Sequence, residues 1–462
     1  MSVDQVGVII ESGASDWQVF QRDERGLGTI KVAGSWKDEM AEGRVEVRLI
    51  HEDSSLSIGE AQDWRFVRTT KDGRWSATIK DIPAGGLYRL ETRFRPKGRA
   101  DGEWCPRGDM RHFLGVGDLW IIAGQSNSAG YGRDPIDDPP ELGLHVFRNS
   151  EEWALASHPL NDSTDTKHPA NREGANPGHS PYLHFARLLK RSRGYPIGLI
   201  QTSLGGSGLA VWNPCEPGGA YLYDNMVSCV KKAGGKVTGV LWYQGESDSG
   251  EKECSTYKKR FIDAVKAWRK ALKHADLPVI TVQLNRMYGA TDPVSDRWWS
   301  NMRDVQRRIV HGLKGVAIVP TIDLQLSDGI HLNAASNMRL GARMADAALG
   351  MVHGEPIVWQ APEIQSATKV GKGDEIKLLF SPVVDRMECI DPWAKAWRVE
   401  DADGEVSVQQ ASGKGDTMTL KLQRKLKGKA KVYGGYGINP EMVPMDMARH
   451  MPMLGFGNVP VS

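Results

Sequence analysis

Between residues 117 and 353 five apolar runs alternate with amphipathic helical patterns, and that alternation leaves few folds open. The runs are 118–123, 197–203 (IGLIQTS), 237–243 (VTGVLWY), 278–284 (PVITVQL) and 315–322 (GVAIVPTI). Helical periodicity lies near 180–193, 221–233, 255–272, 299–311 and 333–349. Strands that are apolar on both faces belong to a parallel sheet covered by helices on each side. The expectation is an α/β domain in three layers, whose ligands bind beyond the carboxyl ends of the strands.

The flanks carry a different period. GRVEVRLI sets Val45, Val47 and Leu49 against Arg44, Glu46 and Arg48, and YRLETRFR alternates in the same way. Turn signals such as Asp72-Gly73 separate these runs, as in an antiparallel β-sandwich. After residue 354 strand patterns return in DEIKLLF, TMTLKL and KAKVYGGYG, with a hairpin turn at Asp403-Gly404. The division expected is a β-sandwich over 1–116, an α/β domain over 117–353 and a second β-sandwich over 354–462. Segment 133–179 is the least patterned, rich in Asp, Pro, Asn and His, and a long loop there is expected to be functional or mobile.

Composition removes several classes. Lys and Arg number 59 against 57 Asp and Glu, a formal charge of +2 over 462 residues, which offers no footprint for nucleic acid or an anionic membrane. No apolar stretch approaches the roughly 18 residues of a membrane span. The opening MSVDQVGVIIESG lacks the basic region of a signal peptide, which leaves the compartment open: periplasmic or secreted if a leader has been removed, otherwise cytoplasmic. Five cysteines without a C-x-x-C pair argue against a thiolate zinc site and a disulfide framework, while a single bridge stays open. Neither H-E-x-x-H nor a run of clustered His ligands is present, so neither metal nor cofactor is expected.

Four strand ends gather reactive residue types. The first apolar run ends in AGQSNSAG with Ser126, the second in LGGSG with Gly205, the third in QGESDSG, and the last is followed by SDGIHLN. Each alone is ordinary: Gly-Gly after a strand is a tight connection, and Asp-x-x-His is a surface turn. On a parallel sheet, however, all four lie along one edge. A serine hydroxyl needs a neighbouring base, and imidazole, with a free pKa of about 6.5, serves. Asp328, three residues before His331, is one turn away and able to hold the ring. Charge developing on a carbonyl oxygen requires fixed donors, for which Gly205 offers a backbone N–H and Gln244 an amide. The G-x-S-x-G elbow of α/β-hydrolases is missing, because position 128 is Ser.

These blocks resemble the SGNH/GDSL hydrolase superfamily, in the branch of sialate O-acetylesterases and related carbohydrate acetylesterases. GDLWIIAGQSN resembles the first block, SLGGSGLAVW the second, WYQGESD the third and SDGIHLN the last. DWQVFQRDERGLGTIKVAG and YGGYGINPEMVPMD resemble the family's flanking regions. The resemblance implies an SGNH-type α/β/α domain between two β-sandwiches, with Ser126 as nucleophile, His331 as general base and Asp328 as its orienting acid. It implies an oxyanion hole from the N–H groups of Ser126 and Gly205, with Gln244 replacing the Asn that the wider superfamily carries in block three. Leu204, where a Trp is common, departs from the branch. Candidates for substrate contact are Gln125, Asn127, Tyr131, Trp212, Tyr243 and Glu246, with Trp298 and Trp299 as further aromatics. The activity implied is removal of O-acetyl groups from a sugar, sialic acid first. The alternatives are an esterase of acetylated xylan or another polysaccharide, and a carbohydrate-binding module with a vestigial site.

Overall fold

The strand Arg107–Gly124 organises the chain, because two different sheets share it. The computed structural model describes residues 7–37, 42–100, 102–174, 177–289, 292–389 and 395–462. From Leu119 to Ala123 the strand is wholly buried. There it lies at the centre of the order Trp153–Leu155, Leu144–Phe147, Ile197–Gln201, Arg107–Gly124, Gly239–Tyr243, Val279–Val282, Val316–Val319. Neighbours along this path are parallel except for the antiparallel edge strand Trp153–Leu155. From the central strand the chain builds first to one side and then to the other. The carboxyl end of Arg107–Gly124 is therefore a topological switch point, where such sheets bind ligands.

After this strand comes a single helical turn, α1 (Ser126–Ala129), followed by α2 (Tyr182–Arg193), α3 (Tyr221–Lys232), α4 (Glu251–Ala271), α5 (Pro293–Ile309) and α6 (Ala334–Met351). The α2 helix packs on α6, while α3 and α5 both pack on α4. Two N-termini are set by local chemistry. Asp292 accepts from the N–H groups of Val294 and Ser295 ahead of Pro293, and Asn333 accepts from Ser336. The Asn333 cap starts α6 two residues after His331 and so fixes the end of the His331 loop. No helix among the described residues is long and apolar enough to cross a membrane.

At its other end the shared strand pairs with Gly85–Pro96 and belongs to the N-terminal sandwich. That sandwich packs Val45, Val47 and Leu49 against Ile30, Trp75 and Ile79. The boundary expected at 116/117 thus falls inside one continuous strand. The polar face of the sandwich also departs from simple alternation: Glu46 and Glu91 are buried beneath arginines, Arg95 meeting Glu46 at 2.9 Å and Arg48 meeting Glu91 at 2.7 Å.

Segment 133–179 is more structured than its composition suggests, since it supplies the two strands at one edge of the central sheet, Leu144–Phe147 and Trp153–Leu155. Beyond α6 an eight-stranded and a three-stranded sheet enclose a separate apolar core. Arg303 of α5 seats this region against the α/β domain. Wholly buried, it donates to the carbonyls of Leu284, Asn285, Gly435, Gly437 and Ile438. Burial pushes its guanidinium down, to about 9.

Candidate active site

Ser126 owes its position to Gly124. The Gly124 φ is 122°, and a Cβ there would lie 2.1 Å from the Tyr243 carbonyl of the adjacent strand, so only glycine lets the chain turn here. Gln125 N then donates to that same carbonyl at 3.0 Å, and Ser126 opens the α1 turn. Gln125, Asn127 and Ser128 are buried, whereas Ser126 is half-buried and reaches the surface.

The His331 loop is built around one carboxylate. Asp328 Oδ1 accepts from the N–H groups of Ile330 and His331, each at 2.8 Å, and Oδ2 lies 2.7 Å from His331 Nδ1. Burial pushes the Asp328 carboxyl up, but the hydrogen bonds from the ring and the two N–H groups outweigh it and hold the group below its ordinary value. An imidazole oriented through Nδ1 leaves Nε2 able to take a proton. The Tyr131 ring stacks on it, centroids 4.7 Å apart.

Asn127 ties this loop to the serine turn. Its Nδ2 donates to Ile330 O at 3.2 Å and its Oδ1 accepts from Leu332 N at 3.0 Å, so it clasps the chain on both sides of His331. Asn285, at the end of strand Val279–Val282, donates to Ile330 O at 2.6 Å from the other flank. Glu246 supports the clasp by accepting from Asn127 Nδ2 at 2.8 Å. Burial raises the Glu246 carboxyl above its ordinary value, against the lowering effect of that hydrogen bond.

Several expected roles need correction. Gln244 is wholly buried, and its Nε2 is spent on Asp248 at 2.6 Å and Gln125 at 3.1 Å, while its Oε1 accepts from Tyr257 at 2.8 Å. No amide hydrogen is left for an oxyanion. The Gly205 N–H donates to Glu173 Oε1 at 2.7 Å, so that donor is engaged as well. Gln125 and Trp212 are buried and bonded internally, Gln125 to Ser247 N and Trp212 to Ser207 Oγ. Tyr243 is wholly buried in the main core, and Trp299 is buried with its indole N–H on Asn285 O. Asn127 and Glu246 lie beneath the surface as the clasp just described. These side chains cannot touch a sugar, because the elements that follow each strand end fold back over them. Tyr131 is buried too, with its hydroxyl donating to Glu173 Oε2 at 2.7 Å, and Trp298 is half-buried under Arg297.

The sequence reading missed Glu173, Asn161 and Asn285, all distant in the chain from the blocks they bond. It also missed Tyr288, which is exposed beside the Asp328 loop with its N–H on Gly329 O at 2.7 Å. Among the described residues Asp138, His158 and His179 form a group able to hold a metal ion. Both imidazole Nε2 atoms face Asp138 Oδ2, at 3.1 and 3.0 Å, and Arg187 takes its other oxygen. That carboxylate is thus saturated by protein donors.

Residues 116–350 match the model of a family described as carbohydrate esterase, sialic acid-specific acetylesterase. A probable carbohydrate esterase of Arabidopsis thaliana is 30% identical over 254 residues, covering 50% of this chain and 90% of that protein. The crystal structure of a carbohydrate acetylesterase from Xanthomonas citri aligns over 98% of this chain and 99% of its own, with a TM-score of 0.68 at 22% identity. That likeness is one of fold, and it extends through both flanking β-regions. With the family model spanning half the chain, including all four strand-end blocks, the protein belongs to the sialic acid-specific acetylesterase family of carbohydrate esterases and is a carboxylic ester hydrolase.

Proposed function

We propose that the protein removes O-acetyl groups from a carbohydrate by a serine mechanism. Ser126 Oγ attacks the acetyl carbonyl carbon while His331 Nε2 takes the hydroxyl proton, with Asp328 stabilising the imidazolium. The carbon–oxygen bond to the sugar breaks, and the departing alkoxide takes the proton from His331. Water then attacks the acetyl-enzyme, giving its proton to His331, and acetate leaves as Ser126 is restored. The division of labour among residues 1–116, 117–353 and 354–462 is part of the same reading: the central region does the chemistry, and the β-regions frame the approach to it.

One observation carries this reading. The 2.7 Å contact between Asp328 and His331 lies on a loop that Asn127, the residue after Ser126, grips on both sides of the histidine. For the sugar, the family's description speaks for sialic acid. Acetylated xylan is the comparison to run beside it.

The test combines labelling with turnover. A fluorophosphonate probe should label the wild type and not Ser126→Ala, and acetate release from a panel of O-acetylated glycans should vanish in the same variant. Removal of a triad serine lowers kcat by something on the order of 10⁶. Binding of an acetylated glycan without labelling or acetate release would mean a binding module with an idle site.

A further inference from the structure

The chain leaving the serine turn carries an arginine to the rim of the site. Gly132 N donates to His179 O at 3.1 Å, and Gly132 O accepts from His179 N at 2.8 Å, an antiparallel bridge. The neighbours of a bridged residue leave an extended chain on one side, so Tyr131 and Arg133 project together. The opposite side is closed by α6, where a Cβ on Gly132 would lie 2.8 Å from Asn337 Nδ2. Tyr131 stacks on His331, centroids 4.7 Å apart. Arg133 stands two residues further along, about 7 Å at the rise of a strand. It is exposed and lines a cavity of about 480 Å³ with Gly132, Pro177 and Gly178. Its charge reaches the tyrosine: burial and the Glu173 carboxylate push the Tyr131 hydroxyl up, and Arg133 acts in the other direction. Two nearby carboxylates are already engaged, Asp134 by Ala334 N of α6 at 3.0 Å, and Glu173 by Gly205, Asn161 and Tyr131. Among the described residues Arg133 has no ion-pair partner.

We propose that Arg133 is a specificity-determining residue, binding the carboxylate of an acidic O-acetylated sugar whose ester lies at Ser126. The proposal rests on the serine-esterase reading above and narrows its substrate class. A guanidinium offers two parallel N–H donors that match a carboxylate, and it stays charged at every working pH. Its backbone is pinned on both sides, by the Gly132 bridge and the Asp134 contact, so binding has only the side chain to order. The distance is suitable. The serine turn closes with Gly130 N on Ser126 O at 2.9 Å, and from there three extended residues lead to Arg133, roughly 10 Å of chain. The long arginine side chain and a single sugar ring bridge that gap. A neutral sugar or an aryl acetate reacts at the same serine without this contact. Sialic acids and uronic acids share the chemistry required, a carboxylate on the ring that carries the acetyl ester.

The test measures acetate release by wild type, Arg133→Ala, Arg133→Lys and Arg172→Ala. The substrates are an O-acetylated sialic acid, an O-acetylated galacturonic acid, the carboxamide of each, and a mono-O-acetylated xylobiose. Wild type should prefer an acid to its own carboxamide. Arg133→Ala should erase that preference by raising KM for the acid about tenfold with kcat within a few-fold, the effect of charge-assisted hydrogen bonds. Arg133→Lys keeps the charge without the fork and should restore only part of the preference. Arg172 is also exposed and without an ion-pair partner among the described residues, so Arg172→Ala reports the general positive field and should keep the preference. Both arginines are exposed, and their replacement should leave the fold intact. A preference confined to one of the two acids supports the proposal and names the source of the carboxylate. A wild type that does not distinguish acid from carboxamide overturns it. An equal loss on every substrate in Arg133→Ala overturns it too, because Arg133 would then only hold Tyr131 against His331, and so does a loss that Arg172→Ala reproduces. If no substrate releases acetate and Ser126 resists labelling, it is the serine-esterase reading that fails. A labelled, active enzyme indifferent to the carboxylate refutes this proposal alone.

Discussion

Replacing Asn127 by alanine isolates the clasp that brings the serine turn to the histidine loop. Three hydrogen bonds disappear: to Glu246 Oε1, to Ile330 O and from Leu332 N. Ile330 O keeps Asn285 at 2.6 Å and loses little. Leu332 N–H is left buried without its acceptor, and Glu246, whose Oε2 already has no partner, loses the donor to Oε1. One orphaned buried donor together with one weakened buried carboxyl costs about 2–4 kcal/mol. The loop is then held beside His331 from one side only. A misplacement on the order of 1 Å costs about 10²-fold in kcat. KM should hardly move, because Asn127 is buried away from substrate. Steady-state turnover of p-nitrophenyl acetate alongside thermal unfolding measures both effects. A kcat within threefold of wild type in a destabilised variant would refute the reasoning, since Asn127 would then stabilise the fold without holding His331. Asn127→Asp sharpens the test. It keeps an acceptor for Leu332 N but sets a second carboxyl against Glu246, so it should be less stable at pH 8 than at pH 5.

Asp328→Asn should lower kcat severely, by something like 10⁴-fold as in serine proteases; a near-normal rate reduces the triad to a dyad. Gln244→Ala should lower the melting temperature and leave kcat per folded molecule within a few-fold, because its amide is spent on Asp248 and Gln125, whereas an oxyanion donor would cost about 10²–10³ in kcat. Burial pushes His145 down to about 4, so the folded chain holds this ring neutral while the unfolded chain protonates it below about 6.5. Stability should therefore fall by about 3 kcal/mol as the pH drops from about 6.5 to about 4. His145→Leu should remove that slope in denaturant titrations, and an unchanged slope assigns it to other groups.

The sequence alone determined the layers of the catalytic region, since the alternation of apolar strands with amphipathic helices is a local property. Helices fall at Tyr182–Arg193, Tyr221–Lys232 and Ala334–Met351, close to where the 3.6-residue period lies. The Asp328–His331 contact was legible for a similar reason: three residues is one turn, and the partners need no other element to meet. The glycine at 124 announced the turn that presents Ser126.

Only the tertiary structure decided what each polar group does with its hydrogen bonds. Whether Gln244 is a free donor depends on Asp248, Gln125 and Tyr257, which arrive from three other elements, and whether Gly205 N–H is free depends on Glu173 from a loop without pattern. Burial of Trp212, Tyr243 and Trp299 likewise depends on what folds over them, which no periodicity in their own segments encodes. The boundary expected at 116/117 disappeared because one strand of 18 residues is long enough to pair in two sheets. Propensity and period act within a segment, whereas the satisfaction of a buried polar group is a property of all the segments that meet around it.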